Sequence, residues 1–327
     1  MIEWGIILGA GWVTWALCFP VKWMLRRWGF WDQSNERSSH QGTVLRGGGL
    51  APLGVIGLAV FGWVCPEQPR VGIAWLAGMF LLGGISLWDD RRGLAVKWRL
   101  MAQFAAAVAV VWALGAGEWS GWTMGWLVFG LVAFINFVNF MDGINGLVSG
   151  LLILIVAGLS WMMSDGMLVG VGWVMAGALL GFVPFNFPRA QMFLGDVGSV
   201  GIGFAVGVLG LMAGKGMEAD ANSCWLAVLP MYFFLEGSVA VLRRSWRGEK
   251  WWKPHREHFY QRLIRCGWSH ARVAYVIWLM QAGVVLWMLK AHDDFSATMG
   301  LGLCGLAWGA LFLYVERVFE RHQSLRA

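Results

Sequence analysis

The feature that most constrains this chain is a repeated pattern of long apolar runs separated by short polar loops. Apolar runs of about 18 residues or more are typical of membrane-spanning helices. Of the 327 residues, 58% are hydrophobic and 13% are charged, which is more apolar sequence than a soluble core of this length needs. The sequence therefore predicts an all-α integral membrane protein. A net charge of +6 would suggest nucleic acid in a soluble protein, but the placement of the basic residues predicts no nucleic-acid partner here.

Eleven of these runs are predicted to span the membrane, within one polytopic domain that covers residues 1–327. They are residues 2–22, 47–65, 71–88, 99–115, 121–138, 146–163, 167–187, 197–214, 222–242, 270–290 and 296–315. The first run carries Glu3 where a signal peptide has a basic leader, and it lacks a small-residue cleavage site. It is therefore expected to remain as a helix.

The loops on the two sides of these spans differ in charge. One side has the C-terminal tail and the loops 23–46, 89–98, 139–145, 188–196 and 243–269. In the loops on the opposite side, the only basic residues are Arg70 and Lys215, and Lys290 lies at the edge of the last of these loops. The positive-inside rule predicts that the first side is cytoplasmic. The N-terminus would then be periplasmic and the C-terminus cytoplasmic, which requires an odd number of spans.

The stretch NFVNFMDGINGL joins two apolar runs on that side. It brings together the amides of Asn136, Asn139 and Asn145 and the carboxylate of Asp142. A helix would place Asn136 and Asn139, which are three residues apart, on one face. Polar groups at the membrane commonly line a cavity, so we expect a functional site here. The alternative is a polar cap that ends one helix and starts the next.

Carboxylates occur at two further helix ends on the same side. Asp89 and Asp90 end the third span, and Asp196 precedes the glycine-rich eighth span. Hard cations such as Mg²⁺ prefer oxygen ligands, so these three residues are candidate metal ligands. The alternatives are a solvated helix end neutralised by Arg91 and Arg92, and a helix cap formed by Asp196.

Basic residues on this side are candidates for binding phosphate. Lys97 and Arg99 open the fourth span, where anchoring at the membrane surface is an equal alternative. The stretch DQSNERSSHQGTVLRGGG, residues 32–49, ends in glycines that begin a helix, and the helix N-terminus could hold an anion. Without such a ligand it would be an ordinary polar loop.

The late loop contains KPHREHFYQRL, residues 253–263. His255, Arg256 and His258 make a candidate diphosphate site. A zinc site would need further ligands, and no Cys or carboxylate is spaced for one. The pattern of Trp251, Trp252, Phe259, Tyr260 and Leu263 also fits an interfacial amphipathic helix, and both interpretations can hold together.

Taken in order, these motifs resemble those of the polyprenyl-phosphate N-acetylhexosamine-1-phosphate transferase superfamily. The motifs are DxxNxRxxHxxxxxRGGGLA, an Asp-Asp pair at a span end, NxxNxxDGxxGL, FLGDxGS and a His-Arg-His loop. The resemblance extends from Asp32 to about Leu263. The superfamily includes the translocase that makes the first lipid intermediate of peptidoglycan, and enzymes that start O-antigen synthesis. The loop HREHFYQRL is closer to the O-antigen-initiating branch, because the peptidoglycan translocase has three consecutive histidines there.

The resemblance implies a Mg²⁺-dependent membrane transferase, with Mn²⁺ as an alternative ion. Its donor would be a UDP-N-acetylhexosamine and its acceptor undecaprenyl phosphate, and its products UMP and a polyprenyl-diphospho-sugar. The implied location is the bacterial inner membrane, with the site facing the cytoplasm. Some members form homodimers, so a homodimer is a candidate assembly.

The resemblance also implies roles for individual residues. Asp196 corresponds to the Mg²⁺ ligand, and Asp89 to the residue that engages or deprotonates the acceptor phosphate, with Asp90 beside the metal. Substrate-binding residues are implied at the other motif positions: Asn139, Asp142, Asn145, Phe193, His40, Arg46, Lys97 and His255. Arg256 and His258 correspond to late-loop residues near the diphosphate, and Phe193 to an aromatic that stacks on uracil. Asn145 departs from the family pattern, because many members carry a second aspartate there.

A flippase or transporter for a lipid-linked sugar is the alternative function. Transporters tend to place charges and broken helices near the bilayer midplane, often in inverted repeats. In this chain the charges gather at one face, and the two halves show no repeat. The sequence therefore favours a transferase.

Overall fold

The computed structural model describes residues 2–33, 42–216, 224–249, 257–291 and 294–325. Within these ranges the chain is a bundle of helices with one small sheet, so the prediction of an all-α polytopic membrane protein is confirmed. The helices are α1 (Ile2–Trp28), α2 (Leu50–Ala59), α3 (Cys65–Glu67), α4 (Pro69–Arg92), α5 (Val96–Gly115), α6 (Gly121–Met141), α7 (Leu147–Met162), α8 (Gly166–Asn186), α9 (Gly195–Gly216), α10 (Trp225–Val228), α11 (Met231–Trp246), α12 (Phe259–Arg265), α13 (His270–Lys290) and α14 (Asp294–Ser324). A π-helical turn, Val60–Val64, joins α2 to α3 so that they form one continuous rod.

Each of the eleven predicted spans overlaps a helix or a pair of helices in the described part of the chain. Nine helices there are long and apolar enough to cross a membrane. The apolar helix α7 is shorter, and the predicted span 222–242 is divided into α10 and α11. The division falls at Pro230, which has no backbone N–H to continue a helix. The total of eleven spans and the orientation of the termini stay predictions.

Helix ends on the polar side differ most from the prediction. The first helix ends at Trp28 rather than at residue 22, and α14 continues to Ser324 rather than ending at residue 315. A helix of 31 residues is about 46 Å long, which exceeds the roughly 30 Å of a hydrocarbon core. The last turns of α14 therefore extend beyond the apolar layer, and they pack on α12.

Among the nine described helices long enough to cross a membrane, α8 and α9 are the most buried. Helix α9 packs on α4, α6 and α7, and α8 packs on α1, α2 and α7. The N-terminus of α9 therefore lies deep in the bundle, beside the ends of α4 and α6. All four predicted aspartates lie at or near these three helix ends.

A two-stranded antiparallel sheet follows α1, in a region where the sequence predicted only a polar loop. Strand β1 (Trp31–Gln33) pairs with β2 (Thr43–Leu45), with Trp31 opposite Leu45. Leu45 also forms a parallel bridge with Met192, which lies just before α9. The sheet thereby holds the residues after β2 against the segment that leads into α9.

Candidate active site

The glycine motif after β2 lies directly on the segment before α9. The N–H of Phe193 donates to the carbonyl of Leu45 (2.8 Å), and those of Gly48 and Gly49 donate to the carbonyls of Phe193 and Leu194 (2.9 Å each). Any side chain on Gly49 would collide with the backbone of Gly198. The glycines are therefore needed for close backbone approach, and this approach brings the preceding arginine to the start of α9.

Arg46 and Arg99 connect three of the predicted aspartates. The Nη2 atom of Arg46 lies 2.6 Å from Oδ1 of Asp196 and 3.0 Å from Oδ1 of Asp90. The Nη1 atom of Arg99 lies 2.9 Å from Oδ2 of Asp89 and 3.8 Å from Oδ2 of Asp196. The end of α4, the start of α5, the glycine motif and the start of α9 therefore converge on one point.

Asp142 belongs to the same group. Its carboxylate accepts a hydrogen bond from the backbone N–H of Gly195, and its electrostatic neighbours include Asp196, Asp90 and Arg46. Burial and the negative charge of Asp196 raise the pKa of Asp142 well above its usual range. We call Asp89, Asp90, Asp142 and Asp196, with Arg46 and Arg99, the aspartate cluster.

Carboxyl groups outnumber guanidinium groups in the aspartate cluster by four to two. One oxygen, Oδ2 of Asp90, is buried without a hydrogen-bond partner among the described residues. Both observations fit a divalent cation. In the described part of the chain no three carboxylate, thiolate or imidazole ligands converge as a preformed cage. Mg²⁺ usually binds through one or two carboxylates, waters and substrate phosphates, so such a cage is not required.

The asparagines of the predicted stretch have separate positions. Asn139 accepts a hydrogen bond from the Ser199 hydroxyl (2.7 Å), three residues after Asp196 on α9. Asn136 instead donates to Gln103 of α5 (2.7 Å), so it joins two helices rather than lining the cluster. On the helix face that these two residues share, Asn139 therefore contacts the site and Asn136 makes a packing contact with a neighbouring helix.

Asn145 is directed towards the segment before α9. Its side-chain Nδ2 donates to the carbonyl of Pro188 (3.0 Å), and its Oδ1 is buried without a partner among the described residues. Asn186, which the sequence analysis did not select, accepts from the N–H of Gly146 (2.9 Å) and donates to the carbonyl of Met192 (3.1 Å). It therefore ties the loop after α6 to the segment before α9. The sequence signal for Asn186 was an amide side chain at the end of an apolar span.

His258 lies beside the end of α6, in a buried position. Its Nδ1 is 2.6 Å from Oε2 of Glu236, and its ring stacks on Tyr260 with 5.8 Å between centroids. The Tyr260 hydroxyl donates to the carbonyl of Phe140 (2.9 Å), two residues before Asp142. The sequence analysis missed both Glu236 and Tyr260, although a carboxylate inside an apolar span was a signal for Glu236.

The remaining late-loop and early-loop predictions divide into two groups. Phe259, Tyr260 and Leu263 of α12 are buried in the protein core, so for these three the interpretation as a membrane-surface helix is wrong. They face the core because α12 packs on α13 and α14. Outside the described residues lie His40, Trp251, Trp252, His255 and Arg256.

Two predicted substrate-binding residues lie at the edge of the cluster. Phe193 is half-buried, and its backbone pairs with Leu45 and Gly48 three residues before Asp196. Lys97 is exposed, with its ammonium group 5.3 Å from the centre of the Trp98 ring. Of the two basic residues that open α5, Arg99 and not Lys97 contacts the aspartates. A helix turns by 100° per residue, so these two side chains point in different directions.

Comparison with known proteins shows which family the chain resembles. The family model of glycosyl transferase family 4 matches residues 72–214, a range that contains all four aspartates. A decaprenyl-phosphate N-acetylglucosaminephosphotransferase of Mycobacterium tuberculosis is 30% identical over 83% of this chain and 78% of its own. A phospho-N-acetylmuramoyl-pentapeptide-transferase of Synechococcus is 30% identical, over 86% and 88%. A probable undecaprenyl-phosphate N-acetylglucosaminyl 1-phosphate transferase of Bacillus subtilis is 26% identical, over 83% and 79%.

Proposed function

Since this chain belongs to glycosyl transferase family 4, within the superfamily of polyprenyl-phosphate N-acetylhexosamine-1-phosphate transferases, we propose that it transfers a sugar-1-phosphate from a UDP-N-acetylhexosamine to undecaprenyl phosphate. The products are UMP and a polyprenyl-diphospho-sugar, which starts the synthesis of O-antigen or a related cell-surface polysaccharide. The observation that carries this proposal is the aspartate cluster itself, which gathers four carboxylates and two guanidinium groups at one end of an apolar bundle.

The reaction exchanges one phosphoanhydride bond for another. An oxygen of the acceptor phosphate attacks the β-phosphorus of the donor, the bond from that phosphorus to the bridging oxygen breaks, and UMP leaves with that oxygen. Several negative charges meet in this transition state, so positive groups must offset their repulsion. Arg46 and Arg99 are already at this position and can bind phosphate oxygens in a forked geometry. Bound Mg²⁺, or Mn²⁺ in its place, would supply the remaining positive charge.

The carboxylates divide into two roles in this proposal. Asp196, Asp90 and Asp89 would hold the cation, and Asp89 would also engage the acceptor phosphate at the end of α4. Asp142 follows α6 and would complete the cation environment. Burial and the charge of Asp196 raise the pKa of Asp142, so a cation bound nearby would favour its ionised form.

The donor is proposed to lie along the segment before α9. Phe193 would stack on uracil, Asn139 would hold the nucleotide-sugar, and the buried, unpartnered Oδ1 of Asn145 supports a hydrogen bond to the nucleoside. His258 lies beside the end of α6, where it would contact the diphosphate. The same contact is proposed for the remaining predicted residues: His40, Lys97, His255 and Arg256.

A cavity of about 640 Å³ with a mainly apolar lining supports a lipid acceptor. It lies among α6, α7, α9 and α11, in the half of the bundle away from the aspartates. Its wall includes Phe134 and Phe234, and Glu118 and Lys215 also line it. A cavity with such a lining fits isoprenoid carbons, whose burial from water is favourable. The basic loops on the aspartate side support a site that faces the cytoplasm of a bacterial inner membrane.

The test of this function uses purified protein in detergent, with undecaprenyl phosphate, Mg²⁺ and a panel of UDP-N-acetylhexosamines. We expect UMP to be released only when lipid phosphate and metal are both present, and the preferred donor identifies the sugar. Folded protein that binds UDP but releases no UMP with any donor would contradict the proposal. Movement of a lipid-linked sugar across proteoliposomes without UMP release would support the flippase instead.

A further inference from the structure

Tyr260 lies at the start of α12, and the proposed reaction gives it no role. Its residue surface is 1% exposed, so it belongs to the protein core. A buried tyrosine usually finds a hydrogen-bond partner for its hydroxyl, because an unpaired polar group removed from water is destabilising. The partners of this hydroxyl therefore indicate whether Tyr260 does more than fill space.

The Tyr260 hydroxyl binds the backbone on both sides of Asp142. It donates to the carbonyl of Phe140 at 2.9 Å, two residues before Asp142. It also accepts from the backbone N–H of Gly143, the residue after Asp142, and from the side-chain amide of Gln261. A hydroxyl offers one donor and two acceptor positions, so all three are used.

These bonds lie where the end of α6 needs partners. The last carbonyls of a helix have no partner within it, and Phe140 is the last residue but one of α6. A Cβ on Gly143 would lie 2.2 Å from the hydroxyl oxygen, so only glycine allows this approach. The carboxylate of Asp142, between the two bonds, accepts from the N–H of Gly195 and neighbours Asp196. The hydroxyl therefore fixes the backbone from which Asp142 enters the aspartate cluster.

Tyr260 is itself held in place by the residues around it. In the capping box of α12, the Gln261 side chain accepts from the backbone N–H of His258 (3.3 Å), and the Gln261 backbone N–H donates to the His258 side chain. Glu236 of α11 accepts from the backbone N–H of Phe259 (2.6 Å) and lies 2.6 Å from Nδ1 of His258. The Tyr260 ring stacks on His258, with 5.8 Å between centroids. The start of α12 is thereby bound to α11, which gives the hydroxyl a fixed position.

We propose that Tyr260 is a positioning residue: its hydroxyl holds the turn at the end of α6, so that the carboxylate of Asp142 stays in the aspartate cluster. The inference rests on the proposed function, because it requires Asp142 to belong to the cation environment. Groups that orient the ligands of a metal from outside commonly matter about 10- to 100-fold for metal affinity or activity. Through this one hydroxyl, the late loop supports the aspartate cluster without touching the substrate.

The variant Tyr260→Phe separates the hydroxyl from the packing of the ring. The ring and its stacking on His258 remain, but the bonds to the end of α6 are lost. We expect kcat to fall by about 10- to 100-fold, with the KM for the UDP-sugar changed only a few-fold. The matched control is Tyr232→Phe, because Tyr232 of α11 is also buried and its hydroxyl has no hydrogen-bond partner among the described residues. The control should turn over as the wild type does, and wild-type kcat in Tyr260→Phe would overturn the proposal.

A second variant, Gly143→Ala, disturbs the same contact from α6 and leaves every residue of α12 unchanged. Its Cβ would collide with the hydroxyl oxygen, so the turn must shift. We expect a loss of kcat similar to that of Tyr260→Phe. The double variant Gly143→Ala/Tyr260→Phe should lose no more than the larger single loss, because both changes act on one contact. Wild-type turnover by Gly143→Ala, or losses that multiply, would overturn the proposal.

A further double variant tests whether the hydroxyl acts through the carboxylate. If it does, Tyr260→Phe/Asp142→Asn loses no more activity than Asp142→Asn alone. Losses that multiply would mean that Tyr260 acts independently of Asp142, against the proposal.

The last measurement does not depend on turnover. Electron paramagnetic resonance measures free Mn²⁺, so it gives the Kd of Mn²⁺ for the purified protein in the presence of UDP. We expect this Kd to rise about 10-fold in Tyr260→Phe and in Asp142→Asn, and to stay unchanged in Tyr232→Phe. Equal Mn²⁺ binding by the wild type and Tyr260→Phe would overturn the positioning role alone. A wild type that binds no Mn²⁺ would instead count against the proposed function and, with it, the inference.

Discussion

Two groups of charged residues lie at the same end of the bundle, and they differ in how their charges balance. In the aspartate cluster, four carboxylates face two guanidinium groups, and one oxygen of Asp90 is buried without a partner among the described residues. The second group, the late-loop cluster, joins α11, α12 and α14. Its members are Glu236, Glu257, Glu316, Arg243, Arg247, Arg262 and His258.

In the late-loop cluster, three carboxylates meet three guanidinium groups and one imidazole. Arg262 alone contacts both Glu257 and Glu316. A balanced network of this kind holds segments together and has little affinity for a further ion. An excess of carboxylate requires a cation or a protonated acid to be stable. The comparison indicates that the first group is built for an incoming ligand, whereas the ion pairs of the second hold the late loop in position and leave His258 as its one proposed substrate contact.

The largest effect is expected for Asp196→Asn, which removes a charge from the centre of the aspartate cluster. Asp196 contacts both Arg46 and Arg99, so its loss should lower turnover by about 10³-fold or more, while the protein stays folded. UMP release and thermal unfolding of the purified variant measure the two effects. The matched control is Asp165→Asn, because Asp165 caps the start of α8 through the N–H groups of Met167 and Leu168. Asn also caps helices, so this control should behave as the wild type. Normal turnover by Asp196→Asn would remove that residue from the metal site.

Removal of divalent metal tests the same charge excess from the ligand side. Chelation by EDTA should abolish UMP release, and Mg²⁺ or Mn²⁺ should restore it. The reason is that the two guanidinium groups do not by themselves neutralise the carboxylates. The late-loop cluster needs no metal, so the unfolding temperature of the protein should fall much less than its activity. UMP release that persists in excess EDTA would contradict the charge argument.

A smaller loss is expected for Arg46→Lys. The Nη2 atom of Arg46 contacts Asp196 and Asp90 together, and a lysine in its place would lack the other guanidinium N–H groups that can bind phosphate oxygens. We expect kcat/KM to fall by about 10- to 100-fold. The control is Arg92→Lys, because Arg92 is exposed at the same end of the bundle, 4.8 Å from the centre of the Trp88 ring. Equal losses in the two variants would mean that only the total charge of this surface matters.

The smallest effect on activity is expected in the late-loop cluster, for Glu316→Gln. This change removes the partner of the buried Arg262, so it should lower the free energy of unfolding by about 1 to 3 kcal/mol. Turnover should stay within a few-fold of the wild type, since neither residue contacts the aspartates. Denaturant or thermal unfolding in detergent, measured beside UMP release, compares the two. A loss of turnover as large as that of Asp196→Asn would end the distinction between the two clusters.

Four residues show how much of the site followed from the sequence. Asp196 was predicted because a carboxylate before a glycine-rich span stands out, and the structure brings it to Asp90 and Asp142. Arg99 and Lys97 could not be ranked from sequence, since both open the same span. Only the direction in which α5 orients each side chain brings Arg99 into contact with Asp89. Glu236 carried a signal of its own, but its partner lies 22 residues away and could not be read from spacing.

The sequence by itself determined the class of the protein, the approximate spans and the gathering of its polar motifs on one side of them. These properties follow from local composition, because the length of an apolar run and the charge of a loop do not depend on what they pack against. Tertiary structure decided the helix ends, the division at Pro230, the small sheet and every ion pair of the site. Arg46 and Asp196 are 150 residues apart in the chain, and they meet because backbone groups of Leu45, Gly48 and Gly49 bind the segment before α9. Such contacts depend on how distant segments pack together, which no local pattern specifies.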